Sequence, residues 1–96
     1  MSASTLKVPA EVRDVIRRLH PELRRKLRVA LADILDDPTC GKALKEELEG
    51  YWSLRLGRSR IIYGLRGGGI ETVAIGPRKT IYEEAVRLVR RDQEKP

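Results

Sequence analysis

The apolar residues of this chain change their spacing near Gly50, and this change constrains which elements each half can form. Before Gly50 the apolar residues recur at helical intervals, as in Val12, Val15, Ile16 and Leu19. After Gly50 they alternate with polar residues, as in Trp52, Leu54 and Leu56, which is the period of a half-buried strand. The order predicts an α+β fold, with an N-terminal helical hairpin packed on a small, mainly antiparallel sheet.

Prolines and acidic residues delimit the predicted helical hairpin. A short extended segment ends at Pro9, which suits the first turn of a helix. The pair His20-Pro21 separates the two helices, because a residue before proline avoids the helical conformation. We expect His20 to have a helix-end or solvent role at this junction, far from the basic face of the sheet. The second helix ends at Asp36. It carries an apolar stripe that consists of Leu23, Leu27, Ala30, Leu31, Ile34 and Leu35.

Three strands and a final helix follow a polar connector over residues 39–50. Turns are predicted at residues 57–59 and in the glycine run 67–69. Alternation places these side chains on the helix-covered face: Trp52, Leu54, Leu56, Ile61, Tyr63, Leu65, Val73 and Ile75. Thr72 and Ala74 should face the other way. A last helix is expected to return to the same core through Ile81, Ala85, Leu88 and Val89, leaving the second sheet face partly bare.

At 96 residues the chain is expected to form one domain, residues 1–96, with a core over about 5–90 and frayed termini. The lone Cys40 excludes an internal disulfide framework and fits a reducing compartment. Neither a signal peptide nor a membrane span is indicated. We therefore expect a cytoplasmic protein that does not interact with membranes.

Positive charge is concentrated in one third of the chain. The formal net charge is +6, and residues 51–82 carry six basic residues against one acid, Glu71. Four of the six lie on the predicted strand pair or at its ends: Arg55, Arg58, Arg60 and Arg66. Because like charges opposite each other destabilise a sheet, this face indicates a site for an anionic ligand. The alternative is that Arg55 and Arg60 are paired with Glu71 or with acids of the connector.

Two segments, "GYWSLRLGRSRIIYGL" and "ETVAIGPRKTIYEEA", resemble the RelE/ParE toxin superfamily, and the likeness extends over residues 5–89. The resemblance implies a small sheet packed against an N-terminal helical hairpin. It also implies a toxin of a type II toxin–antitoxin system with a cognate antitoxin. The RelE branch cuts mRNA, often on the ribosome, whereas the ParE branch inhibits DNA gyrase. The sequence "IGPRKTIYEE" is more similar to the RelE branch.

The resemblance also implies which residues form the site. Arg55 and Arg60 match basic strand positions, Arg78 matches a loop arginine, and Tyr82 matches the tyrosine that begins the last helix; these four are the catalytic candidates. Further phosphate contacts are expected from Arg58, Arg66, Lys79 and Ser53. Active members often carry lysine where this chain has Ser53, which leaves a non-catalytic relative open as an alternative.

The chemistry is consistent with these residues. RNA can be cut without a metal when its own 2′-OH attacks the adjacent phosphate, and we expect no cofactor or metal. Arg60 and Arg78 would stabilise the phosphorane charge, because guanidinium donors match phosphate oxygens. Tyr82 would transfer a proton or stack on a base; the alternative is that its ring only caps the core. Trp52 and Tyr63 are expected in the core.

Overall fold

The structure is a computed structural model that describes the backbone of residues 5–94 and the side chains of residues 5–91. The remaining residues of the predicted frayed ends, 1–4 and 95–96, lie outside the described part. Within it the chain forms, in order, β1 (Leu6–Lys7), α1 (Ala10–Arg18), α2 (Pro21–Asp36), β2 (Lys42–Ala43), a 3-10 turn (Glu46–Leu48), β3 (Tyr51–Leu56), β4 (Ser59–Arg66), β5 (Gly69–Pro77) and α3 (Arg78–Glu94).

The five strands form one mixed sheet in the order β1-β5-β4-β3-β2. Strand β1 pairs parallel with β5, and the other pairings are antiparallel. The α+β class is confirmed. The predicted order, with a helical hairpin first, is not confirmed, because the extended segment before Pro9 forms a strand of the sheet. Strands β1 and β2 have two residues each, which is too short for alternation to reveal them.

Glycines close both long hairpins as predicted. Gly57 begins the β3–β4 turn with a φ of 62°, and Gly67 and Gly68 form the β4–β5 turn with φ of 58° and 80°. Residues with side chains rarely adopt positive φ, whereas glycine does so without steric cost. These turns fix the strand register, and therefore fix which side chains face each other across β3 and β4.

Helices cover both faces of the sheet. Helices α1 and α2 pack on the first face, over buried residues that include Val12, Leu27, Ile34, Ile61 and Ile75. Helix α3 packs on the second face, where Ile81, Ala85 and Val89 join Ile62 and Ala74 in a separate cluster. The prediction that α3 would return to the first core is therefore wrong. Periodicity identifies the apolar side of a helix, but it does not specify which face of the sheet that side covers.

A β-bulge accounts for a second difference. Tyr63 pairs with Thr72 and Ile62 pairs with Ala74, so Val73 is an extra residue on β5. An extra residue reverses the alternation beyond it. Thr72 is consequently buried on the hairpin side, where its hydroxyl donates to the Lys7 carbonyl at 2.8 Å, and Val73 packs with the α3 cluster. Leu65, also predicted to be buried, is 48% exposed near the end of β4.

Tyr63 connects the sheet to the segment after α2. Its side chain is fully buried, and its ring stacks on Trp52 with centroids 6.0 Å apart. Its hydroxyl donates to the Pro38 carbonyl at 2.8 Å and accepts from the Gly41 amide at 3.1 Å. Burial raises the pKa of the Tyr63 hydroxyl to about 12. The predicted core position of Tyr63 is confirmed, whereas Trp52 is only partly buried and packs against that core. None of the described helices is long and apolar enough to cross a membrane.

Candidate phosphate-binding site

The β3–β4 hairpin brings two arginines into direct opposition. Arg55 pairs with Arg60 across the strands, one residue before the pair that closes the turn. Both side chains point to the sheet face that α3 covers farther along the strands, because they alternate with Leu54, Leu56 and Ile61 of the first core. Like charges in this arrangement destabilise a sheet, so packing does not explain the pair.

Two further arginines complete a cleft at the same end of the sheet. Arg58 lies in the β3–β4 turn, and Arg78 is the first residue of α3. Together with Gly57 and Ser59, the four arginines line a depression of about 250 Å³, which we call the arginine cleft (Arg55, Arg58, Arg60 and Arg78). Sequence positions more than twenty residues apart thus converge on one small volume.

The positive charge of the arginine cleft is not compensated. No carboxylate among the described side chains lies within 4.0 Å of its four guanidinium groups. The Arg55 Nε donates weakly to the Gly57 carbonyl at 3.4 Å. The alternative that Arg55 or Arg60 pairs with Glu71 or the connector acids is wrong for this part of the chain, since Glu71 pairs with Arg66 and Glu47 with Arg90. The amino terminus of α3 adds the positive end of a helix dipole.

Three of the residues predicted to contact phosphate do not line the cleft: Arg66, Lys79 and the buried Ser53. Arg66 is at the far end of β4, six residues or roughly 20 Å along the strand from Arg60. It forms an ion pair with Glu71 at 3.5 Å. Lys79 is exposed in the first turn of α3 and does not line the cleft. Arg66 has the same strand parity as Arg60, so it lies on the predicted face of the sheet, but its distance along β4 separates it from the arginine cleft.

Tyr82 and Ser53 form a contact between α3 and the sheet. The two hydroxyl oxygens are 3.2 Å apart, and Ser53 is only 2% exposed. The Tyr82 ring is partly buried against the α3 cluster. Ser53 lies on the same face as Arg55, two residues or about 7 Å along the strand. Tyr82 does not line the arginine cleft, so its hydroxyl is next to the cleft rather than inside it.

His20 is nearer to the basic surface than expected. As predicted, it acts at the helix junction, where its Nδ1 accepts from the Glu22 amide at 3.2 Å. It also lines a groove of about 390 Å³ together with Lys26, Arg55 and Arg58. The predicted separation from the basic face is therefore wrong. Sequence reasoning also missed Lys26, because helical periodicity gives no information on which strand turn lies beside α2.

Potential metal ligands do not cluster in the described part of the chain: no group of three or more His, Cys, Asp or Glu residues is close enough to hold an ion there. Cys40 is an exposed free thiol in the connector.

Comparison with solved structures relates this arrangement to known folds. A substituted form of the E. coli toxin RelE in the free state superimposes with a TM-score of 0.77, 19% sequence identity, and coverage of 91% of this chain and 97% of that chain. A chain of the RelBE2 toxin–antitoxin complex from Mycobacterium tuberculosis superimposes with a TM-score of 0.68 and 24% sequence identity, and the match covers 81% of this chain and 94% of that chain. A chain of the archaeal RelE–RelB complex from Pyrococcus horikoshii OT3 superimposes with a TM-score of 0.68 and 21% sequence identity, and the match covers 81% of this chain and 97% of that chain.

The chain has the RelE toxin fold. The likeness to these structures is one of fold, and it agrees with the α+β fold class that the sequence predicts. Neither a protein-family model nor a curated protein sequence matches the chain. At 17–24% identity the RelE-type structures share their fold with this chain while most side chains differ. The identity of these structures therefore does not assign roles to the residues of the arginine cleft.

Proposed function

We propose that this protein is the toxin of a type II toxin–antitoxin system and inhibits translation as a metal-independent endoribonuclease that cuts mRNA on the ribosome. The observation that carries the proposal is the convergence of four arginines, which have no acidic partner among the described side chains, on one cleft of a RelE-like fold. Rigid guanidinium groups without nearby carboxylates are suited to phosphate oxygens.

In this proposal the arginine cleft holds the phosphate at the cut. Arg60 and Arg78 approach from two different elements and stabilise the negative charge that develops when the 2′-OH attacks. Arg55 and Arg58 bind the same or a neighbouring phosphate. A guanidinium group stays protonated at working pH, so it contributes charge and positioning and no proton transfer. Lys79 adds a more distant contact from the first turn of α3.

In this proposal the P–O5′ bond breaks as the 2′-oxygen attacks, the Tyr82 hydroxyl gives its proton to the departing 5′-oxygen, and the 2′-OH proton passes to water. The Tyr82 hydroxyl lies on the face of the sheet that carries Arg55, and its hydrogen bond with Ser53 holds it in one position. The phosphate at the cut must therefore lie at the end of the cleft nearest Ser53, where its 5′-oxygen can come within hydrogen-bond reach of Tyr82. Ser53 thus acts as a positioning residue for Tyr82.

A cognate antitoxin is the proposed protein partner. Four RelE-type structures with this fold are complexes with antitoxins or an antitoxin peptide, including the YoeB–YefM complex from Staphylococcus aureus. The uncompensated arginine cleft favours an acidic partner segment, which would neutralise the toxin by occupying the phosphate site.

A second candidate function is supported by one observation. The Tyr82 hydroxyl is engaged by Ser53 and does not line the arginine cleft. This arrangement favours a protein that binds an anionic surface without cutting it, such as a ParE-like inhibitor of DNA gyrase or a relative that only binds its antitoxin.

The test is mapping of mRNA 5′ ends in a reconstituted translation reaction with the wild-type protein, Arg78→Gln and Tyr82→Phe. Arg87→Gln is the matched control, because Arg87 is also an exposed arginine of α3 but lies outside the cleft. We expect codon-phased cuts that disappear in Arg78→Gln, weaken in Tyr82→Phe and persist in Arg87→Gln. Intact mRNA with normal translation would refute the nuclease. Inhibition of gyrase supercoiling in a parallel reaction would then support the second candidate.

A further inference from the structure

The basic surface continues beyond the arginine cleft. On the other side of the β3–β4 turn lies the groove of about 390 Å³ that His20 and Lys26 line, which we call the helix groove. It shares Arg55, Gly57 and Arg58 with the cleft. Because the same two arginines border both depressions, a chain-like ligand can pass from one to the other across the turn.

The positive charge extends along α2. A third depression of about 410 Å³ lies against the helix groove, and it is lined by Arg25, Lys26 and again Arg55. The acidic residues at the borders of these two depressions are Glu22 and Asp33. Neither forms an ion pair with a basic residue of the described part, and Arg25 and Lys26 have no acidic partner within 4.0 Å there.

We propose that an RNA strand bound in the arginine cleft continues across the β3–β4 turn into the helix groove, where Lys26 binds a further backbone phosphate and Arg25 adds charge from the neighbouring depression. The inference rests on the proposed function in that the ligand is RNA. A backbone with a charge on every nucleotide can engage both depressions at once, whereas a small anion can fill only one. The α2 residues then contribute binding strength, and they do not contribute to the cut itself.

Binding of an uncleavable RNA tests the proposed path of the strand through the helix groove separately from catalysis. The probe is a fluorescent single-stranded RNA of about ten nucleotides with 2′-O-methyl groups throughout, titrated with the full chain at several salt concentrations. Lys26→Gln should weaken binding about fivefold and lower the slope of log affinity against log salt by about 0.7, the value of one single-strand phosphate contact.

Arg28→Gln is the matched control. Arg28 is an exposed basic residue of the same helix, and two positions correspond to about 200° of rotation away from Lys26. It lines neither the arginine cleft nor the depressions beside α2. We expect wild-type affinity and an unchanged salt slope in Arg28→Gln, with the same thermal midpoint for both variants.

The outcomes separate the inference from the function on which it rests. Loss of affinity in Arg60→Gln but wild-type affinity and slope in Lys26→Gln would overturn the helix groove alone. Equal losses in Lys26→Gln and Arg28→Gln would also overturn it, because the effect would then be one of net charge. No RNA binding by the wild-type protein would overturn both proposals. Equally strong, Lys26-dependent binding of poly-glutamate would replace RNA by an acidic protein segment as the ligand.

Discussion

Reversing one charge of the opposed arginine pair should make the protein more stable while disrupting the proposed phosphate site. Arg55 lies directly opposite Arg60 on neighbouring strands. Opposite charges in such a pair contribute roughly 0.2–1 kcal/mol, and like charges destabilise by a similar amount. The substitution Arg55→Glu removes the repulsion and adds an attraction, so the free energy of unfolding should rise by about 1 kcal/mol. For a chain of this size that corresponds to a melting temperature higher by about 4–8 °C.

The assay is thermal unfolding at 20 mM and at 1 M salt. The gain of Arg55→Glu should shrink at high salt, where the screening length is only about 3 Å. Arg55→Gln removes the repulsion without adding an attraction, so its gain should be about half as large. Arg66→Glu, on the same hairpin, should instead destabilise, because it replaces the partner of Glu71. A lower melting temperature for Arg55→Glu at low salt would refute the reasoning that the arginine pair is destabilising in the absence of a ligand.

Three further predictions concern the scaffold. Tyr63→Phe should lower the free energy of unfolding by about 1–3 kcal/mol in urea titration, because the Pro38 carbonyl and the Gly41 amide lose their hydrogen-bond partner. An unchanged free energy of unfolding would mean that water replaces the hydroxyl. Because the pKa of the Tyr63 hydroxyl is raised to about 12, the unfolded chain loses the phenolic proton at a lower pH than the folded protein does. The contribution of the Tyr63 hydroxyl to the free energy of unfolding is therefore complete below pH 10 and is lost between pH 10 and about 12. The difference in unfolding free energy between wild type and Tyr63→Phe should fall in that window, and a difference that does not change with pH would contradict the raised pKa. Ile81→Ala should cost about 2–5 kcal/mol in the same titration, because Ile81 is fully buried in the α3 cluster; a cost below 1 kcal/mol would indicate that α3 is not firmly packed.

Local patterns predicted the elements of this fold well. The change from helical to alternating spacing near Gly50 separates the helices from the long strands, and prolines and glycines mark their ends at residues close to those in the structure. These features depend on neighbours in the sequence. The bulge that exchanges the sheet faces of Thr72 and Val73 could not be predicted. It depends on the register between β4 and β5, and the sequence of β5 alone does not encode that register.

The site was predicted in part for the same reason. Alternation on β3 and β4 was sufficient to place Arg55 and Arg60 on one face, and the turn brought Arg58 beside them. The family resemblance implied Arg78 as a site residue, but neither the resemblance nor any pattern implied that α3 packs over that face, on which the position of Arg78 depends. The nearness of His20 and Lys26 depends on the angle at which α2 crosses the sheet, and no pattern in either segment encodes that angle.

Structure determination of the protein with an RNA that carries 2′-O-methyl at the cut nucleotide tests the assignment of the arginine cleft most directly. We predict a backbone phosphate between Arg60 and Arg78, with oxygen atoms about 3 Å from both guanidinium groups. The RNA on either side should follow Arg55 and Arg58. An RNA bound at another basic surface, such as that of Arg17 and Arg18 on α1, with no phosphate in the arginine cleft, would contradict the assignment.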